Sequence, residues 1–114
     1  MPDEVKNKVI SNVKSSLIYS PSNCHHLNKF IDWDQVREMD QSNLIDFGAH
    51  TVDHVVLSKV PESKMCEQID QSMAALTDEL DRPCMHFSYP EGQIGDFDEP
   101  VIDHLRHIGI GFCP

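Results

Sequence analysis

The sequence predicts an α/β fold in which parallel strands alternate with helices. Three observations predict it: stripes of apolar residues recur at helical spacing, short apolar runs lie between them, and turn residues separate the two kinds of segment. The predicted order is helix, helix, strand, helix, strand, helix, strand. Because strands that alternate with helices pair in parallel through right-handed crossovers, we expect a single sheet covered by helices.

Apolar periodicity and capping residues predict four helices. The first has an apolar residue at every fourth position: Val5, Val9, Val13 and Leu17. Asp32 can cap a second helix, with Gln35 three residues further on. Pro61 suits the first turn of a third helix, and Asp96 or Asp98 can start a fourth. The third helix has the clearest stripe: Met65, Ile69, Met73, Leu76 and Leu80.

Three short apolar runs predict strands at residues 44–49, 85–89 and 110–112. Gly48 permits close backbone approach near the end of the first. A closed β/α barrel needs on the order of 200 residues, and the chain has 114. We therefore expect a partial barrel with exposed sheet edges, which favour pairing with a second copy of the chain in a homo-oligomer.

Composition excludes several classes of partner. The hydrophobic content of 39% and the charged content of 25% are ordinary for a globular protein. A formal net charge of -10 argues against nucleic acid and against an anionic membrane surface. No apolar run is long enough to cross a bilayer, and the N-terminus shows no export signal, so localisation stays open. The four scattered cysteines indicate small buried residues rather than a zinc knuckle or a disulfide framework.

Candidate functional residues follow the first two predicted strands. His50 and His54 lie in the stretch IDFGAHTVDHVVLS, and Tyr89 and Pro90 close the second strand. In parallel α/β folds, chemistry gathers at the carboxyl ends of strands, so we expect these residues at one edge of the sheet. Histidines are zinc ligands, but the same spacing is also found in solvated surface residues. From the residues themselves, a metal site and an incidental pair of histidines both remain open.

Several stretches together resemble the polysaccharide deacetylase family, the NodB-type domain of carbohydrate esterases. GAHTVDH resembles the family motif H-[S/T]-x-x-H, and FSYPEG resembles its F-x-Y-P-x-G strand end. WDQVREM is similar to the helix before the histidine strand, LSKVPESKMCEQIDQSMAALTDEL to the helix after it, and RHIGIGFC to the next strand. We therefore divide the chain into residues 1–29, an N-terminal helix and loop, and residues 30–114, the central part of such a domain.

The resemblance implies a distorted β/α barrel that hydrolyses acetyl groups from N-acetylated carbohydrate, cleaving an amide C–N bond other than a peptide bond. It also implies a divalent metal cofactor, zinc in the usual case. Carried over by motif, His50 and His54 are the two imidazole ligands, and Thr51 forms a hydrogen bond that holds the loop between them.

The same resemblance assigns roles to the turn after the second strand. Tyr89 offers its backbone N–H to the oxyanion that forms when water attacks the amide carbonyl, and Pro90 shapes the turn. Glu91 follows at the edge of the sheet, where it can contact substrate.

Two family features are not found in the sequence. The motif T-F-D-D supplies a third metal ligand and the general base, but residues 1–29 hold no paired aspartate, and the two in FIDWDQ fit helix capping. Ser88 stands where many members have arginine. We therefore expect this chain by itself to be weakly active or inactive. The alternative is a non-catalytic metal- or glycan-binding remnant that needs another chain. The local carboxylates that could replace the ligand are Asp46, Asp53 and Asp96.

Overall fold

The computed structural model describes residues 3–16 and 30–110 of the chain. The chain divides into two units, Met1–Asp32 and Trp33–Pro114. In the first unit, the predicted N-terminal helix is confirmed as α1 (Asp3–Ser16). Its valines are about half exposed, and Leu17, the last residue of the predicted stripe, lies outside the described residues.

The second unit contains the other predicted helices. They are α2 (Trp33–Gln41), α3 (Glu62–Leu80) and α4 (Glu99–His107), with a short 3-10 turn at Leu57–Lys59. Of the two predicted starts of α4, Asp98 is the right one, because its carboxylate accepts a hydrogen bond from the backbone N–H of Val101 at 3.4 Å. None of the helices in the described ranges is both long and apolar enough to cross a membrane.

Helix α3 organises the core of this unit. Its apolar face packs with side chains from both neighbouring loops and from α4, and the buried cluster consists of Ala49, Val55, Leu57, Met65, Ile69, Cys84, Phe87, Val101, Leu105 and Ile110. Polar contacts between side chains add to this packing on both sides of α3. Arg37 of α2 contacts Glu79, and His104 of α4 lies 2.7 Å from Asp70.

The first two predicted strands meet at one parallel bridge, between Ala49 and Phe87. The N–H of Ala49 donates to the carbonyl of His86, and the N–H of Ser88 donates to the carbonyl of Ala49, both at 2.9 Å. The predicted parallel pairing is therefore confirmed at this point. In the part of the chain that the structure describes, no longer strand forms, so the partial β/α barrel stays a prediction, as does self-association through its edges.

The two segments approach closely beside Gly48. A Cβ added there would lie 3.1 Å from Cβ of His86 and 3.2 Å from its carbonyl oxygen, which is tighter than most Cβ contacts and would require His86 to shift slightly. The residues at the start of the first segment, Leu44 and Ile45, are exposed. Of the third predicted strand only Ile110 is described, and it is buried.

Candidate functional site

The bridge places His50 against the second segment. His50 directly follows Ala49, and its Nδ1 lies 2.8 Å from the carbonyl oxygen of Ser88. A carbonyl oxygen only accepts hydrogen bonds, so we assign the ring proton to Nδ1. In the neutral imidazole the other ring nitrogen, Nε2, then carries a lone pair. This is the arrangement of a metal-binding histidine, whose second nitrogen donates to a carbonyl and thereby fixes the tautomer.

The two histidines of the motif lie together. The ring centroids of His50 and His54 are 4.7 Å apart, with 68° between the ring planes. Two imidazoles that bind one zinc ion at about 2.0–2.1 Å place their centroids about 5 Å apart. Both side chains are exposed, so an ion can reach them from solvent. Two imidazoles are suitable donors for a divalent metal, and the separation of these rings is close to that of two ligands of one zinc ion, although it is also the separation of an ordinary edge-to-face ring contact.

The loop between the histidines has an unusual backbone. Thr51 has a φ of 65° and His54 a φ of 53°, both in the left-handed region. For a β-branched residue such as Thr51 this region is a genuine outlier. Its Oγ1 is buried and has no hydrogen-bond partner, so the hydrogen bond expected of Thr51 is not formed in this structure. Such strain is kept only where the surrounding structure enforces it, and it clusters at functional sites.

Gln68 of α3, a residue that sequence reasoning missed, forms hydrogen bonds to this loop. Its side chain is 1% exposed. Its Oε1 accepts hydrogen bonds from the backbone N–H groups of Val52 and Asp53, at 3.1 and 2.8 Å. A signal was present in the sequence: position 68 lies three residues after Met65, on the buried face of α3, where a polar side chain needs partners.

The turn after the second segment is also held tightly. The ring of Tyr89 stacks on Phe97, and Pro90 is buried. The N–H of Gly92 donates to the carbonyl of Pro90 at 2.9 Å, with Glu91 between them at a φ of 66°. A three-residue turn with positive φ at its centre is rare and strained. Glu91 itself is exposed.

The carboxylates considered as a third metal ligand are engaged elsewhere. Asp46 lies 3.5 Å from Arg82, and Oδ2 of Asp53 accepts from Gln68. Oδ2 of Asp96 accepts from the backbone N–H of Gln93 at 3.1 Å. Within residues 3–16 and 30–110, no group of three His, Cys, Asp or Glu side chains could hold a metal. Among these residues the candidate centre consists of two imidazoles.

A small, mostly apolar pocket, open to solvent, adjoins His50. Its volume is about 260 Å³, and its walls include Trp33, His50, Thr51, Ala75 and Leu76. The ring of Trp33 is partly exposed there. A cavity of this size can take a small apolar group, and an accessible indole ring offers a flat face for a ring-shaped ligand.

Comparisons with known proteins identify a family and related folds. The family model "Polysaccharide deacetylase" matches residues 7–112. The deacetylase PplD from Streptococcus pyogenes, solved in complex with acetate, has a TM-score of 0.64 and 20% identity over 70% of this chain. IcaB from Ammonifex degensii has a TM-score of 0.63 and 26% identity over 75% of this chain.

The chain spans only part of those structures, 34% of the first and 40% of the second. No curated protein matches the chain. Because the family model covers nearly the whole sequence, the resemblance seen in the motifs is confirmed, and the chain belongs to the polysaccharide deacetylase family.

Proposed function

We propose that this chain carries the histidine pair and the oxyanion turn of a metal-dependent site that removes acetyl groups from N-acetylated carbohydrate. The observation that carries the proposal is the 2.8 Å contact between Nδ1 of His50 and the carbonyl of Ser88. It leaves the Nε2 lone pair available beside a second imidazole, as a metal ligand requires.

His50 and His54 would hold the ion, for which we propose zinc because neutral imidazoles suit it. When bound, such an ion lowers the pKa of water and polarises a carbonyl oxygen. The role of this chain is to hold the two rings close together. The strained loop around Thr51 supports this role, since a relaxed loop would let His54 turn away.

The turn at Tyr89 would stabilise the negative charge that develops on the substrate oxygen. In this proposal the backbone N–H of Tyr89 donates to the oxyanion, and Pro90 keeps that peptide group in place. The stack of Tyr89 on Phe97, with 4.2 Å between centroids, supports a preset geometry. Exposed Glu91 would contact the sugar at the edge of the site. The cavity beside His50 fits the small methyl group of an N-acetyl substituent, and Trp33 offers a surface for the sugar ring.

A second candidate function is non-catalytic binding of a metal ion or a glycan. It is favoured by the fact that, in the ranges described, the histidine pair has no carboxylate beside it that could complete a ligand set. In this candidate, a second chain would supply the missing group. The glycan bound would again be an N-acetylated carbohydrate, but this chain would release no acetate.

Metal analysis combined with an acetate-release assay tests both candidates. We expect zinc in the purified protein, and loss of that zinc in His50→Ala and in His54→Ala. His107→Ala is the matched control, since this exposed histidine lies at the end of α4. Equal zinc content in the wild type and His50→Ala would remove the ligand assignment.

Acetate release from N-acetylglucosamine oligomers separates the two candidates. Release that depends on His50 and His54 would support deacetylation by this chain. Zinc uptake that depends on both histidines without any acetate release would favour the binding role instead.

A further inference from the structure

Both the oxygen and the nitrogen of the Gln68 side-chain amide form hydrogen bonds with the loop between the histidines. Its Oε1 accepts from two consecutive backbone N–H groups, those of Val52 and Asp53. Its Nε2 donates to Oδ2 of Asp53 at 2.8 Å. All three bonds come from one side chain that is almost fully buried on α3, so the loop is attached to the most extensively packed helix of the unit.

These bonds act on the part of the backbone that is strained. Thr51 and His54 flank the two bonded N–H groups, and each adopts a left-handed conformation, which is strained for residues other than glycine. Two N–H groups directed at one oxygen fix the orientation of successive peptide planes. Without that acceptor the loop would relax to a commoner backbone conformation, and the ring of His54 would leave its position 4.7 Å from the ring of His50.

We propose that Gln68 is a positioning residue that sets the mutual orientation of the two histidine rings through the loop. The inference rests on the proposed metal role of those rings and deepens it. It names the group that would determine how tightly the ion is held, although Gln68 itself touches neither the ion nor the substrate.

The chemistry of the loop favours an amide at position 68. A carboxylate there can accept from both N–H groups, but it would face the carboxylate of Asp53 and would have no N–H to donate to it. A leucine fills similar space and accepts nothing, leaving the N–H groups of Val52 and Asp53 without this acceptor. The combination Gln68→Glu with Asp53→Asn restores complementarity, because the new amide at position 53 can donate to the new carboxylate.

Zinc affinity, measured by competition with a chelator, gives the first test. We expect Gln68→Leu to weaken zinc binding by about 10- to 100-fold, the usual effect of removing a group that orients a ligand. Gln71→Leu is the matched control, because this amide lies on the same helix but donates to Glu67 at 3.2 Å rather than to the loop. Gln68→Glu should bind weakly, and the double variant Gln68→Glu, Asp53→Asn should recover affinity. The absorption spectrum of Co²⁺ bound in place of zinc should change in both single variants at position 68. It should return to the wild-type spectrum in the double variant.

Amide hydrogen exchange gives a second test that needs no metal. The N–H groups of Val52 and Asp53 should exchange faster in Gln68→Leu than in the wild type, and should be protected again in the double variant. Unchanged exchange at both groups would overturn the inference, and so would zinc affinity at the wild-type level in a folded Gln68→Leu protein. If the wild type binds no zinc, the proposed metal role fails, while exchange still decides whether Gln68 holds the loop. Should Gln68→Leu fail to fold, the comparison of Gln68→Glu with the double variant decides the same question.

Discussion

The ring of Tyr89 lies parallel to the ring of Phe97, with 4.2 Å between their centroids and 11° between their planes. This stack joins the turn of the candidate site to the loop that leads into α4. It also fixes the direction in which the chain leaves the second paired segment, since Tyr89 further contacts Phe87 edge to face.

Removal of the aromatic face at position 97 should therefore weaken the fold. Phe97→Leu keeps most of the apolar surface but loses the stacking, which is worth about 0.5–1.5 kcal/mol beyond buried area. We expect the free energy of unfolding, measured with urea, to fall by about that amount. Ile94→Ala is the control, because this fully exposed side chain should contribute little. A Phe97→Leu protein as stable as the wild type would show that the stack does not stabilise the turn.

A side chain at position 48 should separate the two paired segments. In Gly48→Ala the new methyl group would lie 3.1 Å from Cβ of His86 and 3.2 Å from its carbonyl oxygen. Forcing atoms into such a contact costs about 1–3 kcal/mol. We expect a lower free energy of unfolding and, because His50 follows directly, weaker zinc binding. Faster amide exchange at Ala49 would show that the bridge has opened. Wild-type stability together with wild-type exchange would contradict the close approach.

Glycine at position 51 should stabilise the chain. Thr51 has a φ of 65° and a buried hydroxyl without a partner, and glycine removes both penalties, with a gain of about 1 kcal/mol in the free energy of unfolding. Val52→Gly is the control. Val52 is not among the residues with positive φ, so glycine there should destabilise. If Thr51→Gly were destabilising by as much as Val52→Gly, the left-handed conformation at position 51 would be refuted.

The ion pair between Arg82 and Asp40 should make stability depend on acidic pH. Nε of Arg82 lies 3.1 Å from Oδ1 of Asp40. Hydrogen bonding from Arg82 lowers the pKa of Asp40 below its usual 3.8, against an opposing effect of burial. Because the folded pKa is depressed, the stabilisation is fully present above the usual value and is lost as pH falls through the folded value.

The variant Asp40→Asn tests the direction of this pH dependence. It should be less stable than the wild type at neutral pH, and the difference should shrink as the pH falls below 3.8. Asp78→Asn, at an exposed position of α3, should show no such convergence. Urea unfolding midpoints at a series of pH values measure the effect. A difference that persisted unchanged in acid would argue against the pair.

The thiol of Cys66 should react slowly at neutral pH. Burial raises its pKa above the usual 9.0, and the negative charges of Asp70 and Glu62 raise it further. Since the thiolate is the reactive form, alkylation by iodoacetamide, followed by mass spectrometry of the Cys66 peptide, should keep accelerating at pH values where an ordinary cysteine has reached its plateau.

Asp70→Asn should lower the pH at which Cys66 alkylation levels off, because it removes one of those charges. Glu67→Gln is the control for a general change of charge on the same helix, since Glu67 is not among the groups that shift the thiol. Identical pH profiles for Asp70→Asn and the wild type would contradict the electrostatic account.

Much of the helical structure could be predicted from the sequence because its causes are local. The stripe from Met65 to Leu80 and the proline before it define α3 almost to the residue. The choice between Asp96 and Asp98 as the start of α4 could not be made locally, because both are good caps. Asp96 instead uses its carboxylate on the turn at Gln93.

The sequence predicted which residues form the candidate site, but not the contacts that hold them in position. The motif identified His50 and His54 as neighbours, and the parallel order of segments predicted that Tyr89 and Pro90 lie at the same edge of the sheet. The left-handed backbone of Thr51 has no sequence signal, since neither glycine nor asparagine occupies the position. The bonds of Gln68 depend on how α3 packs under the loop, which is a tertiary property.

The single bridge between Ala49 and Phe87 has one more consequence, for alignment. Successive side chains along an extended chain point to opposite faces, so a slip of either segment by one residue would turn its own buried residue, Ala49 or Phe87, out to water. Both are almost fully buried, at 2% and 1% exposure, and such a slip would sacrifice that burial. Burial of the Phe87 ring therefore fixes the alignment of the two segments. In that alignment the imidazole of His50 meets the carbonyl of Ser88, the residue that follows Phe87.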